Sequence, residues 1–183
     1  ARQALMGCYG YMSADNAYGQ AWQEVTFGYC GFGWSQTNGS STDLLVSMDG
    51  GIDETINTMA WRGMYKVIGE TNAFIANIAD SPLESADKLP MEAAARFLRA
   101  LAYYNLAVTY GDVPLKTTPS AHDGVAVPRS PKNEVFELVR TDWEFAYENL
   151  PEKDDDGFAT KWAAKAYLGK LYHTLVLRNL FFN

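Results

Sequence analysis

Apolar residues along this chain recur every three to four positions rather than every second one, the spacing of helices that bury one face. Five segments carry the pattern. The first covers about 2–12. The second runs over 53–79, where Trp61, Tyr65, Ile68, Asn72, Ile75 and Ala79 step by four and three down one stripe. The third spans about 91–109 with Phe97, Leu101, Tyr104 and Val108 on one face; Pro90 suits its first turn and Gly111 a left-handed C-terminal cap. The fourth is predicted to start at Ser130 as cap with Pro131 in the first helical position, to continue through Val135, Val139 and Ala146, and to stop before Pro151. The fifth begins near Thr160 and reaches at least Tyr172 through Ala163, Ala164, Ala166, Leu168 and Leu171.

Glycine, serine, asparagine and proline collect between these segments, at 31–41, 112–129 and 152–157. Val25 to Phe32 is the one stretch that reads as extended, and its glycines weaken it as a strand. Amphipathic helices joined by turns pack as antiparallel hairpins, and hairpins stack. The pattern therefore predicts an all-α fold of tetratricopeptide-like stacked helical hairpins, an alpha-alpha superhelix with long loops. No strict 34-residue repeat is visible, so the prediction rests on helix pairing.

The 183 residues suffice for one domain with a sizeable core, and the whole of 1–183 is read as one. A net charge of −7 repels phosphate backbones and argues against nucleic acid as a partner. There is no polybasic cluster, and no apolar run nears the ~20 residues of a membrane span. Cys8 and Cys30 have no CxxC spacing and no neighbouring histidine, which argues against a metal site and leaves a disulfide open. Leu5-Met6-Gly7-Cys8 looks like a lipobox, but only four residues precede it, so Cys8 is placed on the first helix.

No GxSxG, HExxH or P-loop signature is present. His122 lies in a loop and His173 near the end of the last helix, and each is read as a surface or structural residue. Asp154-Asp155-Asp156-Gly157 invites an EF-hand register from Glu152, but Ala163 then stands where the bidentate glutamate belongs. Asp142, Glu144 and Glu148 share one helix, whereas a glycosidase sets its carboxyls across a cleft. Asp142 lies near the apolar stripe and is read as a structural hydrogen-bonding group. No catalytic residue, metal or cofactor is predicted.

The run from Phe27 to Asn38 differs. Phe27, Tyr29, Phe32 and Trp34 alternate with glycines, and Gln36 and Asn38 follow among hydroxyl side chains. Flat apolar rings beside hydrogen-bonding groups suit a sugar, which offers a C–H face and an edge of hydroxyls. A compact loop folded over its own aromatics satisfies the same pattern. Tyr29, Phe32, Trp34, Gln36 and Asn38 are the candidate glycan-binding residues, with Trp34 the ring expected to be exposed.

Several segments, in order, resemble the SusD/RagB family of nutrient-uptake outer-membrane lipoproteins. Ala4 to Tyr9 looks like that family's first helix, and Trp61, Tyr65, Ile68 and Asn72 are similar to its W-x3-Y-x2-I-x3-N pattern. Arg96 to Leu106, continuing to Tyr110-Gly111-Asp112-Val113-Pro114-Leu115, carries the most specific likeness. Pro128-Arg129-Ser130, Asp142 to Pro151 and Lys161 to Tyr172 match the later parts. The resemblance implies a non-enzymatic, oligosaccharide-binding protein on the extracellular face of the outer membrane of Bacteroidetes-type bacteria. Its implied partner is a SusC-like TonB-dependent transporter, and its lipid anchor is absent from this chain. Family members are much longer, so the chain is expected to be an N-terminal helical domain truncated at both ends; the apolar run Leu175 to Asn183 departs from the family pattern. The competing reading is a helical-repeat interaction module whose main partner is the transporter rather than a sugar.

Overall fold

A computed structural model describes residues 1–28, 55–119, 127–154 and 156–181. Six α-helices appear among them: α1 (Arg2–Ser13), α2 (Ala21–Gly28), α3 (Thr55–Ala79), α4 (Ser85–Tyr110), α5 (Lys132–Asn149) and α6 (Lys161–Phe181). Their only strands are β1 (Val113–Pro114) and β2 (Arg129–Ser130), paired antiparallel with Val113 opposite Ser130. The all-α reading holds. The chain forms two compact units, one of Tyr9–Val67 and one of Ala1–Cys8 with Ile68–Asn183.

In the larger unit the side-chain contacts fix the helix directions. Asn72 meets Arg99 and Ala79 meets Lys88, so the end of α3 runs antiparallel to α4. Phe97 pairs with Trp143 and Tyr104 with Phe136, so α4 and α5 are antiparallel. Glu144 with Tyr172 and Lys165 with Tyr147 make α5 and α6 antiparallel as well. Phe97 touches Tyr167 and Tyr104 touches Thr174, a matched step of seven that sets α4 and α6 parallel. These are the stacked hairpins that the apolar spacing predicts.

α4 is the central helix. Every residue from Ala93 to Ala107 except Arg96 is buried, and its six alanines at 93, 94, 95, 100, 102 and 107 let neighbours approach on all sides. Phe97, Leu101 and Tyr104 are buried as expected, but Val108 is 45% exposed because the packing ends before the last turn. The helix also starts six residues before the sequence suggests. Pro90 lies inside it rather than in the first turn, where it forgoes one backbone hydrogen bond.

Aromatic side chains fill much of this core. Trp143 is fully buried between Tyr104 and Tyr167, with ring centroids 5.5 and 5.2 Å away, and its indole N–H donates to the Phe97 carbonyl at 3.3 Å. Lys170 Nζ lies over Tyr104 at 5.2 Å and over Tyr167 at 5.7 Å. Phe97, Tyr104, Phe136 and Trp143 are thus core residues of this unit.

On α3 the stripe of greatest burial is Ile56, Ala60, Met64, Val67, Thr71, Phe74 and Ile78. The predicted stripe lies one position along. Of its members only Ile68 and Asn72 are buried; Trp61, Tyr65 and Ile75 are intermediate and Ala79 is exposed. A wide apolar face has two readable edges, and the aromatic edge was the more conspicuous. Within the smaller unit, Gly63 packs against a π-helical turn at Asp15–Gly19, so close that a Cβ there would fall 1.8 Å from the Asn16 carbonyl oxygen.

Candidate functional site

The five predicted glycan contacts, Tyr29, Phe32, Trp34, Gln36 and Asn38, lie outside the described residues, as do Cys30 and His122. The structure does describe what leads into that run. Residues 21–28 form α2, so Val25 is a buried helical residue and the start of the supposed extended stretch is helix instead. Along it the Thr26 hydroxyl donates to the Trp22 carbonyl at 2.9 Å, and Gln20 Nε2 donates to Glu24 Oε1 at 2.7 Å. Trp22 anchors the helix, being 7% exposed with its ring 6.4 Å from Tyr18. Phe27, the first ring of the aromatic run, is 60% exposed at the helix end. The run therefore begins with a ring turned to solvent.

The other candidates resolve into structure. Asp142 is fully buried, and both its oxygens accept from Arg99: Nε donates at 2.7 Å and Nη2 at 2.8 Å. Arg99 Nη1 donates to Asn72 Oδ1 at 2.8 Å, and Asn72 Nδ2 donates on to the carbonyls of Lys116 and Thr118 at 3.0 and 3.2 Å. Tyr103 closes the chain: its hydroxyl accepts from Lys116 N–H at 2.6 Å and donates to the Lys116 carbonyl at 2.8 Å. Four side chains on three helices thus pin the segment after β1. Burial strengthens each bond and makes each missing partner costly. A structural role for Asp142 follows from the geometry; its partner Arg99 went unassigned in the sequence, although one arginine in the apolar run Phe97–Leu106 was the signal.

Asp112 has a comparable duty. Ser130 is engaged in β2, and Pro131 occupies the N-cap position of α5 without a side-chain cap. Asp112 Oδ1 accepts the Lys132 N–H at 2.8 Å instead, setting a carboxylate at the helix N-terminus. The predicted Ser130 cap is replaced because the ladder with Val113 claims that residue. Gly111 ends α4 at φ 77°, a conformation other residues rarely adopt.

Glu144 pairs with Arg140 at 2.6 Å while Asp142 faces Arg99, so the carboxylates of α5 do not converge on a cleft. In the acidic loop Asp154 Oδ1 accepts the N–H groups of Asp156 and Phe158 at 2.9 and 3.0 Å, which turns the chain toward α6. No group of three or more metal-binding side chains occurs among the described residues. His173 is exposed on α6.

A cleft of about 390 Å³ runs between α1 and the end of α3, lined by Ala4, Cys8, Glu70, Phe74, Asn77 and Ile78 among others. Burial, with Glu70 nearby, pushes the Cys8 thiol up to about 11. That disfavours the thiolate and any nucleophilic role.

A family model described as "Starch-binding associating with outer membrane" matches residues 11–173. A SusD-like protein of Bacteroides ovatus is 33% identical over 125 residues, covering 66% of this chain and 23% of its own. A crystal structure of a SusD superfamily protein from Bacteroides thetaiotaomicron superposes with a TM-score of 0.83 at 24% identity, over 97% of this chain and 42% of that one. A crystal structure with xylogluco-oligosaccharide gives a TM-score of 0.78 at 26% identity, over 92% and 34%. The chain therefore spans less than half the length of each of these proteins. Since one family model covers residues 11–173, nearly all of it, the chain belongs to the SusD-like family.

Proposed function

We propose that this chain is part of a non-enzymatic, cell-surface glycan-binding protein that delivers oligosaccharide to a SusC-like TonB-dependent transporter. Its place is the extracellular face of the outer membrane, held there by a lipid anchor, and 1–183 is one helical domain of the longer protein. The observation that carries the reading is the family match across residues 11–173, whose description is starch-binding and outer-membrane associated. The likeness to a protein crystallised with xylogluco-oligosaccharide supports a sugar ligand.

The sugar contact is assigned to the run containing Tyr29, Phe32, Trp34, Gln36 and Asn38. The buried network of Asn72, Arg99, Tyr103 and Asp142 supports this division of labour, since it explains those residues of the family signature as scaffold. Isothermal titration with starch-, xyloglucan- and laminarin-derived oligosaccharides tests the reading. Saturable binding of one of them supports it, and no binding to any neutral glucan overturns it.

A further inference from the structure

The exposed sides of α5 and α6 are built differently. On α5 the exposed residues are Asn133, Glu134, Glu137, Thr141 and Glu148, and Arg140 is paired with Glu137 and Glu144 at 2.9 and 2.6 Å. That is how a solvated helix face is composed. α6 is not. None of the chain's 22 acidic residues falls within 161–183, so no carboxylate on this helix can pair with its lysines. Trp162, Tyr172, Val176 and Leu177 are instead each at least 40% exposed.

The buried residues of α6, Ala164 and Leu171, lie seven apart on the side toward α4 and α5. Trp162, Ala166, Gly169, His173 and Val176 step by four, three, four and three down the opposite side, and all five are exposed. The middle of that stripe is open: a Cβ on Gly169 would meet nothing within 4 Å. The long cations beside it fold back. Lys165 Nζ reaches between the rings of Trp162 and Tyr147 at 5.7 and 5.4 Å, and Lys170 Nζ lies over Tyr104 and Tyr167. A row of large and small residues with a trough at Ala166 and Gly169 fits the ridge of another helix.

Two observations indicate the occupant. A second copy would set Lys165 and Lys170 of one α6 near those of the other with no acid on either helix, so like charges oppose self-pairing. The solved relatives, by contrast, have more than half of their length outside the part that this chain matches. Within the chain, α4 is buried on all sides from Ala93 to Ala107 apart from Arg96, whereas α6 is apolar on two sides and covered on one. We propose that the Trp162–Val176 side of α6 is an internal packing face, covered by a helix from the part of the longer protein outside 1–183. The inference rests on the reading of 1–183 as one domain of a longer protein, and not on the assignment of the sugar contact.

The test uses the native full-length protein. Gly169→Ala should lower its urea midpoint, because the added methyl group meets the covering helix. On a solvated helix the same change raises the midpoint, alanine being the better helix former. Hydroxyl-radical labelling of the unsubstituted protein should leave Trp162, Val176 and Leu177 nearly unmodified, with the same protection at every protein concentration. A raised or unchanged midpoint in Gly169→Ala, ready labelling of Trp162, or protection that fades on dilution would each overturn the proposal. An intact mass near 20.3 kDa for the native protein would overturn the longer-protein reading as well, which separates the two failures.

Discussion

Asp142→Leu removes the acid at the centre of the buried network and leaves Arg99, itself 5% exposed, without its carboxylate. Breaking a buried pair from one side costs about 3–5 kcal/mol, because the remaining charge is desolvated and unmatched. Arg99→Met should cost less. Arg96 Nη1 remains 3.6 Å from Asp142 Oδ1 and, with its side chain 26% exposed, can move closer to replace part of the lost attraction. The double variant Arg99→Met/Asp142→Leu removes both charges and should recover much of the loss. It should still fall about 1–3 kcal/mol short of the parent, since Asn72 Oδ1 then lacks its donor. Urea unfolding with linear extrapolation measures each value, provided the slope stays constant across the four proteins. Strict additivity of the two single losses, or a loss below about 1 kcal/mol for Asp142→Leu, would refute the network account.

Further outcomes follow from other contacts. Tyr103→Phe deprives the Lys116 N–H of its acceptor and should destabilise by about 1–3 kcal/mol, read as a lower urea midpoint. Gly63→Ala places a methyl group against the Asn16 backbone and should lower the melting temperature by at least several degrees; an unchanged melt would contradict that close approach. The Cys8 thiol titrates near 9.0 when unfolded and about 11 when folded, so the unfolded chain releases the proton first. Its contribution to stability is therefore complete below pH 9 and declines as pH rises from 9 to 11. Urea midpoints across that window should fall more in the parent than in Cys8→Ala. At pH 8 its thiolate should be about a hundredfold scarcer than that of an ordinary thiol, so iodoacetamide should label the folded protein slowly at Cys8.

Much of the scaffold was readable from apolar spacing because helices α3 to α6 are long and α3, α4 and α5 each bury a continuous face, whereas α6 buries only Ala164 and Leu171 among its described residues. What the spacing missed has local causes. α4 begins before Pro90, where a proline in the second turn forgoes only one backbone hydrogen bond. The cap of α5 comes from Asp112, twenty residues away in sequence, and no local pattern reveals a donor–acceptor pair set by a two-residue ladder. The partnership of Arg99 with Asp142 and Asn72 is likewise non-local, spanning separations of 43 and 27 residues. The glycan run is legible as composition, rings beside amides, but composition assigns no orientation to Trp34. Of that run, Phe27 and Gly28 proved to belong to a helix.

The central claim is that the helices form a scaffold and that the sugar is read by the aromatic run around Trp34. Calorimetric titration of the parent and of Trp34→Ala with the oligosaccharide that binds best tests it most directly, with circular dichroism confirming equal helicity. Loss of a stacking tryptophan at the heart of a contact should weaken binding by about 2 kcal/mol, close to thirtyfold. Undiminished affinity in a folded Trp34→Ala protein would contradict the claim.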